Sequence, residues 1–302
     1  MSAQGGERAL ERAWRSHFMG FLLFGALLLA TFGKPLVDLM GYAAEQDLHS
    51  HIILIPFVSA YLIYIRRSSL PTDYNFSPGW AMIPLVAGGI ALVAAWGPEL
   101  FGEPFSRNDY LALIALAFVC FLAAGGFFFL GRNWMAAAAF PFGFLIFMIP
   151  MPDRMADFLE TASKLASTEA ANLFFNLTRT PMLRSGTIFE LPGITIEVAQ
   201  ECSGIRSSWV LFITSLLAAN LFLRSPWRRA ALVAAVIPLG ILRNGFRICV
   251  IGLLCVHFGP QMIHSVIHRR GGPLFFVLSL IPLFLLLWGL RRAEGRRAAL
   301  TK

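Results

Sequence analysis

Eight apolar runs divide this chain, near residues 18–38, 52–65, 79–96, 110–130, 134–150, 204–223, 230–257 and 273–290. No other feature constrains the fold as strongly. About 20 apolar residues are what an α-helix needs to cross a hydrocarbon core. The second run is short for this and the fifth marginal. The expectation is an all-α polytopic membrane protein with about eight transmembrane helices, forming a single integral membrane domain over 1–302. Composition agrees. Charged residues make up 14% of the chain, where a soluble domain carries roughly a quarter. The first run is long and has no small-residue cleavage site, so no removable signal peptide is expected.

The formal net charge is +8, but the basic residues are spread along the chain between apolar runs. That is the pattern of membrane topology rather than of a nucleic-acid-binding face. With the N-terminus placed in the cytoplasm, the cytoplasmic pieces collect Arg8, Arg12, Arg15, Arg66, Arg67, Arg132, Arg224, Arg228, Arg229, Arg291, Arg292, Arg296, Arg297 and Lys302. The opposite side collects most of the acids, among them Glu45, Asp47, Asp109, Asp153, Glu190 and Glu197. Both termini are therefore expected inside. The four cysteines, Cys120, Cys202, Cys249 and Cys255, lack metal-site spacing. Three lie in apolar runs, where cysteine acts as a small hydrophobe. No metal or cofactor is expected.

One extracytoplasmic segment, 151–203, is long enough to have structure. Met155, Phe158, Leu159, Ala162, Leu165, Ala166, Leu173, Phe174 and Leu177 recur at helical spacing, which predicts an amphipathic helix in the interface. Beyond Pro181, Ile194, Ile196 and Val198 alternate with Thr195 and Glu197, and "LPG" at 191–193 reads as a turn. A small β-hairpin is expected there. It leads straight to Cys202, on the extracytoplasmic side of the sixth span.

Around that cysteine, "AQECSGIRSS" gathers Glu201, Cys202 and Arg206 at the mouth of an apolar run. The next run, "ALVAAVIPLGILRNGFRICVIGLLCVHF", contains Arg243, Asn244 and Arg247. A charge inside a span is costly and marks function by default. Arg243 and Arg247 share one helix face, and Arg247 lies about 15 Å below the outer helix end at a rise of ~1.5 Å per residue. An arginine beside a cysteine can stabilise a thiolate and then an oxyanion. An imidazole can protonate a leaving amine, and His257, His264 and His268 follow on the same side. Each residue also has a structural reading: Arg206 and Arg243 could serve packing alone, and spacing does not rank the three histidines.

The C-terminal half resembles the exosortase/archaeosortase family of membrane-embedded cysteine transpeptidases. The matching pieces are "LPGITIEVAQECSGIRS", "RNGFRI", and His268 followed by Gly272 and Phe276. Upstream, "HSHIILIPFVSAYLIYIRR" and "FPFGFLIFMIPMPD" resemble the family's earlier segments in the same order. The likeness covers most of 49–290. It implies a catalytic set of Cys202, Arg247 and His268, beside which Glu201, Arg206, Arg243 and Asn244 are expected as supporting residues from their own positions. It also implies substrates with a C-terminal sorting signal (a short motif, a transmembrane helix and a basic tail), cleaved through a thioester in a bacterial inner membrane. The acceptor, whether lipid, polysaccharide or water, is left open. Two other classes compete: an anion-binding transporter using the arginine pair, and a non-catalytic envelope or exopolysaccharide export factor. Membrane lipids are expected partners and nucleic acid is not.

Overall fold

The computed structural model describes residues 3–46, 48–71, 77–97, 105–199, 203–264 and 272–300. Among these, seven helical stretches are long and apolar enough to cross a membrane: Trp14–Thr31, Ser50–Ser69, Pro78–Ala95, Arg107–Phe129, Ile205–Phe222, Pro226–Phe258 and Gly272–Gly295. The chain is a multi-pass, mostly helical membrane protein with one small sheet. It packs as two compact units, Met1–Asp153 and Arg154–Lys302.

The first unit opens with α1 (Ala3–Thr31) and α2 (Gly33–Glu45), separated at Phe32. The break falls inside the expected first span. Pro35 has no N–H to offer the Thr31 carbonyl, so the helix cannot continue unbroken. After a 3-10 turn at Ser50–Leu54 come α3 (Ile55–Arg66), α4 (Pro78–Ala95) and α5 (Arg107–Phe129). Small residues let these helices approach closely, the usual device where lipid removes a hydrophobic drive between helices. Gly125 of α5 faces the Phe24 ring, Gly20 of α1 faces Phe129, and Gly88 of α4 faces Phe121 and Cys120.

The expected fifth span, 134–150, is not one helix. It consists of α6 (Arg132–Ala137), α7 (Ala139–Phe144) and a 3-10 turn at Leu145–Met148. Its apolar side chains go to internal packing: Leu130, Trp134, Met135 and Ala138 are buried together, with Phe21, Ile63 and Phe142 against them. The chain then leaves through a polar clamp. Buried His49 accepts the Met151 N–H on Nε2 at 3.2 Å, while the Asn108 amide donates to the Met151 carbonyl and to Asp153 Oδ1, both at 2.7 Å. Asp109 accepts the Asp153 N–H at 2.9 Å.

The second unit begins with α8 (Asp153–Leu177) and an antiparallel sheet, β1 (Leu183–Ser185), β2 (Ile188–Leu191) and β3 (Ile194–Glu197), in that spatial order. The expected hairpin is β2–β3. Leu191 pairs with Ile194 across Pro192–Gly193, and Gly193 takes the positive φ of +81° that such a tight turn requires. Strand β1 was not expected. It is tied to α8 by a bidentate pair from Arg184 to Glu169 at 2.5 and 2.9 Å.

Three further helical stretches follow. They are α9 (Ile205–Phe222), then α10 (Pro226–Ala234) running with a break at Ala235 into α11 (Val236–Phe258), and finally α12 (Gly272–Leu300). Glu294 of α12 caps α10 from outside, accepting the Ser225 N–H at 2.7 Å and the Arg224 N–H at 3.1 Å, with Arg228 at 3.6 Å. Two glycine contacts set α9 against α11. Gly204 abuts Asn244, and Gly240 abuts Ser208, so the helices are antiparallel. Two more set α8 against α11: Gly245 meets Ala170 and Gly252 meets Phe175, so these run in the same sense.

This packing changes the reading of two segments. The last turns of α11 are apolar because Ile248 and Cys249 form one core with Ala171 and Phe175 of α8, with Phe189, Leu191 and Ile196 of the sheet, and with Val198 just after it. The helix continues past the head of α9 into that subdomain, so its end is no measure of depth in lipid. Arg247 lies one residue short of this core and about one turn beyond the level of Gly204. Helix α8 packs through Ser167, Thr168, Ala170, Ala171 and Phe175. Met155, Phe158, Leu165, Leu173 and Leu177, large members of the expected apolar stripe, are exposed. Close approach to Gly245 leaves room only for small side chains around Ala170, Phe175 fits where Gly252 faces it, and Met155, Phe158, Leu165, Leu173 and Leu177 face outward as on a helix lying against lipid.

Candidate active site

Cys202, Glu201 and His268 lie outside the described residues. Their chain neighbours do not. Ser203 follows Cys202 directly and is buried, and Gly204 follows at φ +73° as the N-cap of α9. Left-handed backbone suits glycine because it has no Cβ. Asn244, 1% exposed, fills the space a Cβ would take, its Cγ and Oδ1 each 2.7 Å from that point.

Two other helices hold this turn. From α8, the Ser163 hydroxyl donates to the Ser203 carbonyl at 2.9 Å. From α11, Arg243 Nη2 donates to the Gly204 carbonyl at 3.0 Å and to Ser208 Oγ at 3.2 Å. The Gly204 carbonyl also accepts the Ser208 N–H and the Ser207 hydroxyl of α9, each at 3.1 Å. Arg243 is 7% exposed, and among the described residues its Nη1 has no hydrogen-bond partner and no carboxylate pairs with it. Arg247 follows one helical turn later on the same face and is partly buried.

Of the expected site residues, the structure thus brings Arg243 and Asn244 against the turn that follows Cys202, with Arg247 next on that face. Arg206 is in the first turn of α9, and its residue is exposed. His257 is exposed near the end of α11, ten residues and about 15 Å along the helix from Arg247. His264 ends a 3-10 turn at Pro260–His264. Cys249 and Cys255 are buried and Cys120 is half-buried. Among the described residues, no group of three His, Cys, Asp or Glu side chains is placed to hold a metal.

Gly204, Ser208 and Ser163 escaped the sequence reading. A glycine just before a helical run is a start signal that could have exposed Gly204. Ser163 and Ser208 gave no such signal, since serines on a helix are common and only the partner helix reveals what they bond.

The family model described as Transmembrane exosortase (Exosortase_EpsH) matches residues 43–285. The chain belongs to the transmembrane exosortase family. Neither the curated proteins nor the solved structures give a match to it. Exosortases are in general membrane transpeptidases or cysteine proteases acting on sorting-signal substrates. In this exosortase the matched region takes in the His49 clamp, the turn after Cys202, the arginine face of α11 and most of α12.

Proposed function

We propose that this exosortase cleaves the C-terminal sorting signals of exported proteins with Cys202 as nucleophile. The observation that carries the reading is the pair of bonds from Arg243 to the head of α9. They bring the arginine-bearing face of α11 against the residues directly following the only cysteine with polar sequence neighbours. A thiol at a helix N-terminus beside guanidinium groups is in the setting that favours thiolate.

In this reading His268 takes the Cys202 proton. The sulfur then attacks a peptide carbonyl near the recognition motif, forming the C–S bond. The oxyanion is held by Arg247, whose two parallel donors suit it. Collapse breaks the C–N bond, and His268 returns the proton to the leaving amine, which departs as the substrate's membrane tail. A lipid, polysaccharide or water nucleophile then displaces sulfur from the thioester and restores the thiol. Glu201, Arg206, Arg243 and Asn244 support the arrangement. The enzyme sits in a bacterial inner membrane with both termini cytoplasmic and the 151–203 segment outside, as the Lys/Arg distribution directs. A substrate helix lying beside the spans would present its outer end at the level of Cys202.

The test is a reporter carrying a motif–helix–arginine tail from the same genome. Cys202→Ala should remain in the membrane while uncut reporter accumulates, and Cys202→Ser should be nearly as inactive. Iodoacetamide should label Cys202 before the other three cysteines. Normal cutting by Cys202→Ala would discard the enzyme and favour an export factor or transporter. A cytoplasmic position for a fusion at Thr180 would put the thiol on the wrong face.

A further inference from the structure

We infer that Arg243 is a positioning residue for the nucleophile, acting through the Gly204 carbonyl, and that it is separate in role from Arg247. The inference rests on the reading of Cys202 as the reactive thiol.

Burying a guanidinium is costly unless hydrogen bonds and counter-charge compensate. Arg243 has no carboxylate partner among the described residues, and its described hydrogen bonds go to two atoms, the Gly204 carbonyl and the Ser208 hydroxyl. Both are at the head of α9, two and six residues after Cys202. An arginine needed only to join α9 to α11 has little reason to reach for a turn already closed by its own helix bond from Ser208 N–H. Ser207 and Ser208 hold the 204–205 peptide plane from within α9, and the bond from Arg243 ties it to a second helix. Ser163 does the same for the 203–204 plane from α8. Asn244 blocks the space into which Gly204 would move. The two peptide planes after the nucleophile are thus each held by a side chain from a different helix.

Both contacts of Arg243 come from one nitrogen, Nη2. A single ammonium with three donors can reproduce that, whereas it cannot reproduce a planar two-nitrogen fork. Lysine should therefore replace Arg243 far better than it replaces Arg247, and an apolar chain of similar length should not replace it at all.

The experiment measures the rate of iodoacetamide labelling at Cys202 in the purified full-length protein, read by mass spectrometry on the Cys202 peptide, beside kcat and KM for the tail reporter. Arg243→Met should label about tenfold more slowly, because the turn that directly follows the thiol loses its tie to α11. Its kcat should fall about 100-fold with KM little changed, as for a misplaced reacting group. Arg243→Lys should stay within about threefold of the parent in labelling, while Arg247→Lys loses most turnover. A folded Arg243→Met protein labelled at the parental rate overturns the inference. If Arg243→Met does not fold, Arg243→Lys decides: tenfold slower labelling in a folded lysine variant also overturns it. In both cases the Cys202 reading stands if Cys202→Ala is inactive, and normal cutting by Cys202→Ala removes that reading on its own.

Discussion

Replacing Gly204 by alanine should destabilise the second unit by about 3 kcal/mol, through two costs that can be separated. The backbone there is at φ +73°, and holding an L-residue in the left-handed region costs roughly 1–2 kcal/mol. The new Cβ would also lie 2.7 Å from Asn244 Cγ and Oδ1 and 3.1 Å from Asn244 Cβ. Asn244 is fully enclosed and cannot swing away, so overpacking adds about 1–3 kcal/mol. Asn244→Ala removes the two closest atoms and leaves the backbone cost. In that background Gly204→Ala should cost only about 1 kcal/mol, a coupling of about 2 kcal/mol in the double-mutant cycle. The four proteins would be compared by denaturant unfolding in detergent, followed by near-ultraviolet circular dichroism. Cys202 labelling would be run in parallel, and should slow in Gly204→Ala as the turn is displaced. If Gly204→Ala unfolds with the parent, or costs the same with and without the Asn244 side chain, Asn244 does not pack against this turn.

The other members of the proposed triad separate by substitution. Arg247→Lys should lose most reporter cutting and Arg247→Ala about 10²–10³-fold, the usual cost of one oxyanion donor; parental rates in the alanine variant would make Arg247 structural. His268→Ala should abolish cutting while His264→Ala and His257→Ala keep most of it, and the reverse order would move the proton-transfer role to another histidine. His49 predicts a pH dependence of stability. Burial takes its imidazole from 6.5 down to about 4, with His51 pushing the same way and Asp153 opposing. Because the folded value is the lower one, the contribution is complete above about 6.5 and is lost as pH falls from there towards 4. At about 1.4 kcal/mol per pKa unit the ceiling is near 3 kcal/mol, and solvent screening brings the expectation to about 2 kcal/mol. A melting midpoint that is flat between pH 7 and 4.5, or that falls equally in His49→Gln, would refute it.

The spans were legible in the sequence wherever one rule governs, namely the length of an apolar run. Ser50–Ser69, Pro78–Ala95, Arg107–Phe129 and Ile205–Phe222 fall within a few residues of the expected limits. The β2–β3 turn was legible because Pro-Gly encodes it locally. Three features were not, and each depends on what the segment meets. Residues 134–150 read as a span, yet their apolar side chains serve the packing around Trp134. The apolar stripe of α8 read as a single face, but its packed side is set by Gly245 on another helix. Strand β1 is three residues long and takes its register from β2.

The end of α11 shows most clearly why the site was only half visible. A run of 28 residues with two arginines in it reads as a span with charges sunk in lipid, at a depth measured from its far end. The run is continuous because two environments ask for the same chemistry: packing beside α9 along its first half, and the core with the sheet and α8 along its second. Hydropathy cannot mark where one passes into the other. The arginines mark it. Arg243 bonds the head of α9, and Arg247 follows a turn later, next to Ile248, with which the sheet core begins. The pair lies at the junction between the two environments, where a guanidinium can keep polar partners while hydrocarbon packs its stem. Their cost inside an apolar run marks these residues in the sequence. Only the antiparallel meeting of α9 with α11 shows which turn Arg243 bonds, and that turn follows the cysteine.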